Sequence, residues 1–94
     1  MAETYKVDTA ELSITSRGVK VELIAPRPER SLGYVTVDWI RAERTRDRGI
    51  VITLYRDRDI TGLFYVKEIR IVDPEVKRYL TSGPGWLIVK TKGW

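Results

Sequence analysis

Apolar and polar residues alternate with a period of two along most of this chain, the pattern of strands rather than helices. In residues 19–24, Val19, Val21 and Leu23 fall on one side and Lys20 and Glu22 on the other, as in a half-buried antiparallel strand. Residues 12–15 precede it across Ser16-Arg17-Gly18, where Gly18 supplies the positive φ of a tight turn, so the two segments read as a hairpin. Tyr5 and Val7 alternate upstream as a short edge strand. Pro26 and Pro28 then interrupt the pattern, predicting a loop over residues 25–33 that is a plain connection, with a crossing between sheet layers or a binding loop carrying Arg27 and Arg30 as the alternatives.

The centre of the chain is residues 34–72, with apolar runs at 34–40, 50–55 and 63–72 that predict a three-stranded antiparallel meander. In the first run Val35, Val37 and Trp39 share a face, opposite Tyr34, Thr36, Asp38 and Ile40. In the second, Ile50, Ile52 and Leu54 form an inward row with Val51, Thr53 and Tyr55 behind it. The third sets Leu63, Tyr65, Ile69 and Ile71 on one face but is interrupted at Lys67, where a bulge is expected. Asp73-Pro74-Glu75 is a helix start with Asp73 as N-cap, and Val76, Tyr79 and Leu80 supply an apolar stripe. Gly83-Pro84-Gly85 reads as the stop of that helix, before a last strand over residues 86–91. No internal repeat is visible. The expected fold is a single, mainly β domain over residues 1–94. It is a small antiparallel barrel or strongly curved sheet of about six strands, with one short helix near the C-terminus.

The succession Leu12-Ser13-Ile14-Thr15-Ser16-Arg17-Gly18-Val19, then Val35-Thr36-Val37-Asp38-Trp39-Ile40, then a hairpin and Asp73-Pro74-Glu75 before a helix resembles bacterial and archaeal pleckstrin-homology-like domains. The resemblance spans most of residues 12–80 and implies a small barrel. The chain departs from it in placing a strand, residues 86–91, after the helix, and no functional residue is carried across.

Composition narrows the chemistry. The 94 residues contain no Cys and no His, which excludes disulfides, thiolate or imidazole metal ligands and His-based triads. Asn and Gln are also missing and charged residues reach 32%, a bias that points to a thermophilic, archaeal source. Asp38, Glu43, Asp57, Asp59 and Asp73 each adjoin an arginine or a cap, where a structural role suffices, so a non-enzymatic protein without metal or cofactor is expected. No apolar run reaches the length of a membrane span and no signal-peptide pattern opens the chain, so cytoplasmic residence is the expectation.

The net charge of +4 arises from 17 basic and 13 acidic residues, and the excess lies after residue 62, with six bases against three acids. Arginine outnumbers lysine eleven to six, which favours planar recognition of phosphate or carboxylate. Arginines at strand ends and turns, combined with strand aromatics, suit phosphate contacts and base stacking. The candidate DNA- or RNA-binding residues are therefore Arg41, Arg44, Arg46, Arg48, Tyr55, Arg56, Arg58, Lys67, Arg70, Lys90 and Lys92, with Tyr55 the foremost stacking aromatic. The strand aromatics are Tyr34, Trp39, Tyr55, Tyr65 and Trp86, of which Trp39 and Trp86 also suit the core, and the turns Arg46-Asp47-Arg48 and Arg56-Asp57-Arg58-Asp59 are expected to pair internally. The alternative is a protein-interaction or adaptor domain, including a homodimer, using a free edge strand at residues 5–7 or 86–91.

Overall fold

The computed structural model describes residues 7–91. Nine strands and one 3-10 helix follow one another: β1 (Thr9–Thr15), β2 (Gly18–Ala25), β3 (Arg30–Val37), β4 (Trp39–Arg44), β5 (Ile50–Arg56), β6 (Asp59–Val66), β7 (Glu68–Ile71), the helix Pro74–Tyr79, β8 (Leu80–Gly83) and β9 (Trp86–Lys90). They build two sheets, ordered β3-β2-β1-β7 and β6-β5-β4-β9-β8, rather than a closed barrel or a single curved sheet. Every pairing is antiparallel except β1 with β7. Among the described residues no helix is long and apolar enough to cross a membrane.

The chain passes between the sheets three times, through the helix between β7 and β8 and at two single-residue bends. Asp38 separates β3 in the first sheet from β4 in the second, and Lys67 separates β6 in the second from β7 in the first. These bends reset the side-chain alternation. Val37 and Ile40 are both buried, whereas Trp39 is directed away from the core, so the face expected for Val35, Val37 and Trp39 does not hold. The meander is β4-β5-β6, and residues 34–37 belong to the other sheet. The interruption at Lys67 marks the second crossing. The proline segment is also shorter than expected, because β3 already starts at Arg30 and pairs directly with β2.

Inner-face residues of both sheets share one core. Leu12, Val19, Val21 and Val37 meet Ile40, Ile52, Leu54, Val66 and Val89 there. Each such side chain contributes about 1.5–3 kcal/mol when fully buried. Val76 adds to this core from the 3-10 helix, which packs against β1 and β9. Asp73 fixes that helix by accepting from the Glu75 N–H at 3.0 Å and the Ile14 N–H at 3.1 Å. The helix starts at the Asp73 cap as expected, but it is a 3-10 helix that ends at Tyr79 and is not the element near the C-terminus, since β8 and β9 follow it. Leu80 already belongs to β8, and Gly83-Pro84-Gly85 is the hairpin turn into β9, not a helix stop.

Residues β1-β2-β3 and β4-β5-β6 are two versions of one unit. The Thr15 hydroxyl donates to the Gly18 carbonyl at 3.2 Å and accepts from the Arg17 N–H at 3.1 Å. The Thr45 hydroxyl donates to the Gly49 carbonyl at 2.8 Å and accepts from the Arg48 N–H at 3.1 Å. Gly18 and Gly49 both have positive φ, and a Cβ on either would collide with a carbonyl oxygen, that of Val37 or Val66. Those valines are the last residues before the two bends. Each unit also carries one bulge, leaving Leu32 or Thr61 as an extra residue before Gly33 or Gly62. The repeat lies in backbone demands met by a few Thr, Gly and Val positions, with the intervening residues free to differ.

Candidate nucleic-acid interface

The second sheet turns one face to the core and the other outward. Its registers place Ile60, Tyr55, Trp39 and Lys90 in one outward row. A second row contains Leu63, Thr53, Arg41, Ile88 and Thr81. The third contains Tyr65, Val51, Glu43 and Trp86. Directly opposed residues lie within side-chain reach of one another, so each row is a continuous strip.

Trp39 and Tyr55 stack with centroids 3.7 Å apart and planes 5° from parallel. Lys90 Nζ stands 5.3 Å from the Trp39 ring centroid. The indole N–H donates to the Asp57 carbonyl at 2.6 Å, and Asp38 Oδ2 accepts from the Asp57 N–H at 2.8 Å. These bonds hold Asp57 at φ 54, a conformation uncommon outside glycine, and fix the β5-β6 turn against the Asp38 bend. Arg56 adds a bond from Nη2 to the Thr36 carbonyl at 2.8 Å. At the opposite end of the strands Arg48 lies 5.4 Å from the Tyr65 ring centroid.

The expected self-pairing of the charged turns is not what the structure shows. Among the described residues no ion pair joins Arg46, Arg48, Arg56 or Arg58 to Asp47, Asp57 or Asp59. The backbone of Asp57 serves Trp39 and Asp38 instead. The turn arginines thus keep their charge available at both ends of the aromatic face.

The sequence candidates divide accordingly. Arg41, Tyr55 and Lys90 lie on the outer face, with Arg44, Arg46 and Arg48 at one end and Arg56 and Arg58 at the other. Arg41 is ion-paired with Glu43 on that face. Arg70 is elsewhere: on β7, at the edge of the first sheet, it bonds Glu29 and Glu11 at 2.9 Å each and Glu68 at 3.4 Å. Hydrogen bonds donated by Arg70 to Glu29 and then Glu11 raise the Arg70 pKa, and the bond to Glu29 holds that carboxyl below its ordinary value. Lys67 sits at the second bend, beside Gly49 and 3.9 Å from Asp8. Lys92 lies outside the described residues, as does Tyr5.

Of the two places open to Trp39 and Trp86, the core or the aromatic surface, both take the surface and lie on this face. Trp39 is half-buried and Trp86 is 37% exposed. Trp86 bears on Gly83, where a Cβ would come within 2.5 Å of the indole Nε1. It also borders a cleft of about 220 Å³ lined by Glu43, Arg44, Ile50, Ile69, Gly85 and Leu87 among others. The one signal for Trp86, the Gly83-Pro84-Gly85 hairpin turn that sets the parity of β9, reads equally as a helix stop in the sequence. Trp39 had no such signal, because a one-residue bend precedes it. Comparisons with protein-family models, curated proteins and solved structures found no match for this chain.

Proposed function

We propose that the outer face of the second sheet binds single-stranded DNA or RNA, and that the protein is a binding module, not an enzyme. The observation that carries this reading is the coincidence of an aromatic sheet face with turn arginines that form no ion pair with their own aspartates among the described residues. Phosphates are held by Arg46 and Arg48 at one end and Arg56 and Arg58 at the other, with Lys90 between. Bases lie against Trp39, Tyr55, Tyr65 and Trp86. Phosphate contacts supply sequence-independent affinity, and aromatic faces stack unpaired bases of any type. Strand repeats of roughly 3.3 Å place the two turns about 20 Å apart along β5, so a strand of several nucleotides spans them. Titration of the full chain with labelled oligonucleotides at two salt concentrations tests the reading.

A second reading rests on β6, a free edge with Ile60 63%, Leu63 55% and Tyr65 40% exposed and no charge from residue 60 to residue 66. Such an edge is a template for strand addition. Antiparallel pairing of two copies about Leu63 would set Asp59 of each opposite Lys67 of the other. A homodimer built this way extends the same outer face across both copies.

A further inference from the structure

The aromatic rings of the outer face are not equally available. Tyr55 gives one face to Trp39, and the Trp39 ring has Lys90 over it. Tyr65 has Arg48 against its ring. Among the described residues Trp86 has neither a stacking partner nor a cation, and it rests on a glycine that leaves its ring low over the backbone. At the edge of that face a cleft opens between one end of the second sheet (β4, β5, β9 and the β8-β9 turn) and Ile69 of β7 in the first sheet, and it contains Arg44, whose guanidinium has no partner among the described residues. Glu43, the one acid there, has its charge offset by Arg41.

We propose that this cleft is the base-binding subsite: one unpaired nucleobase stacks on Trp86, and the phosphate attached to that nucleotide is held by Arg44. This inference rests on the nucleic-acid reading and moves its stacking centre from Tyr55 to Trp86. The chemistry is complementary on both counts. The indole supplies an uncharged π-surface at the rim of an apolar recess of Ile50, Ile69 and Leu87. Arg44 supplies a planar donor set suited to phosphate oxygens. Trp39 and Tyr55 then act as a wall of the strand path, touching bases by their ring edges.

The test uses the full chain and a fluorescein-labelled oligothymidylate, followed by anisotropy and tryptophan emission. Wild type should bind with quenching of tryptophan emission. Trp86→Ala should weaken binding about tenfold or more, the equivalent of one lost stack, with Trp86→Phe retaining most of the affinity. Trp86→Phe should also lose most of the quenching. Arg44→Ala should weaken binding and lower the slope of log affinity against log salt by about one phosphate contact. Both positions are exposed, so melting points should stay close to wild type. If Trp86→Ala lowers the melting point, the Trp86→Phe quenching and Arg44→Ala slope decide the matter. Unchanged affinity and quenching in the Trp86 variants, with binding lost in an Arg56→Ala/Arg58→Ala double variant, would overturn the subsite while leaving the nucleic-acid reading standing. No binding by wild type at low salt would overturn both.

Discussion

Trp39 lies face to face on Tyr55, from adjacent strands and in direct register, with ring centroids 3.7 Å apart. The same indole anchors the next turn through Asp57. Tyr55 is therefore part of the architecture of the face as well as of its surface. Cross-strand aromatic pairs add about 0.5–1.5 kcal/mol beyond their buried area. Tyr55→Ala should destabilise the chain by about 1–2 kcal/mol in a urea titration. A double-mutant cycle with Trp39→Leu should return a coupling near 1 kcal/mol. Full additivity of the two substitutions would show that the stack contributes nothing.

Gly18→Ala and Gly49→Ala make a matched pair. Each adds a methyl group against a backbone carbonyl that has no room to yield, at a positive φ that alanine resists. Both should destabilise by at least about 2 kcal/mol. Gly85→Ala, with positive φ but open space around its Cβ, should cost less. Chemical denaturation of the three variants ranks them. A Gly49→Ala variant as stable as wild type would contradict the duplicated bend.

Asp73 sets an acid limit. Two backbone N–H groups, from Ile14 first and then Glu75, favour its charged form and hold its carboxyl below the usual value. The unfolded chain takes up that proton at about pH 3.9, before the folded chain does. The stabilisation is thus fully present above that pH and is lost as the pH falls through it towards the lower folded value. Glu29, lowered by Arg70, acts in the same direction. The melting point should fall between about pH 5 and pH 2, and less steeply in Asp73→Asn, which keeps an acceptor but does not titrate. Parallel pH profiles for the two proteins would remove Asp73 from the account.

The homodimer reading has a clean test, since the chain contains no cysteine. In a two-fold pairing about Leu63, a Leu63→Cys variant places two thiols near the axis. Mild oxidant should convert it to a covalent dimer at low micromolar concentration, and Asp59→Lys should suppress the product until Lys67→Asp is added. A monomer by light scattering at high concentration, with no cross-link, would sink this reading.

The strands were legible because alternation is a local signal, and so Val19, Val21, Ile52 and Leu54 are found where the pattern puts them. The two sheets were not. Asp38 and Lys67 each reset the alternation with a single residue whose identity carries no mark of a bend. That misplaced Trp39 and joined β3 to the meander. The Arg-Asp turns misled for a different reason: alternating charge suggests pairing, but bridging residues so close in sequence would distort the turn, which is held through the Asp57 backbone by Trp39 and Asp38. Gly83-Pro84-Gly85 fits a helix stop and a hairpin turn equally well, and only the 3-10 geometry upstream decides between them.

The central claim is that an aromatic sheet face ringed by arginines grips single-stranded nucleic acid. Titrating the protein with a labelled oligothymidylate and its uridine counterpart, each at low and at near-physiological salt, tests it most directly. The account predicts saturable binding that weakens at least tenfold over that range, consistent with several phosphate contacts, and weakens further in an Arg46→Ala/Arg56→Ala variant. Absence of binding at low salt, or affinity indifferent to salt and to those arginines, would contradict it.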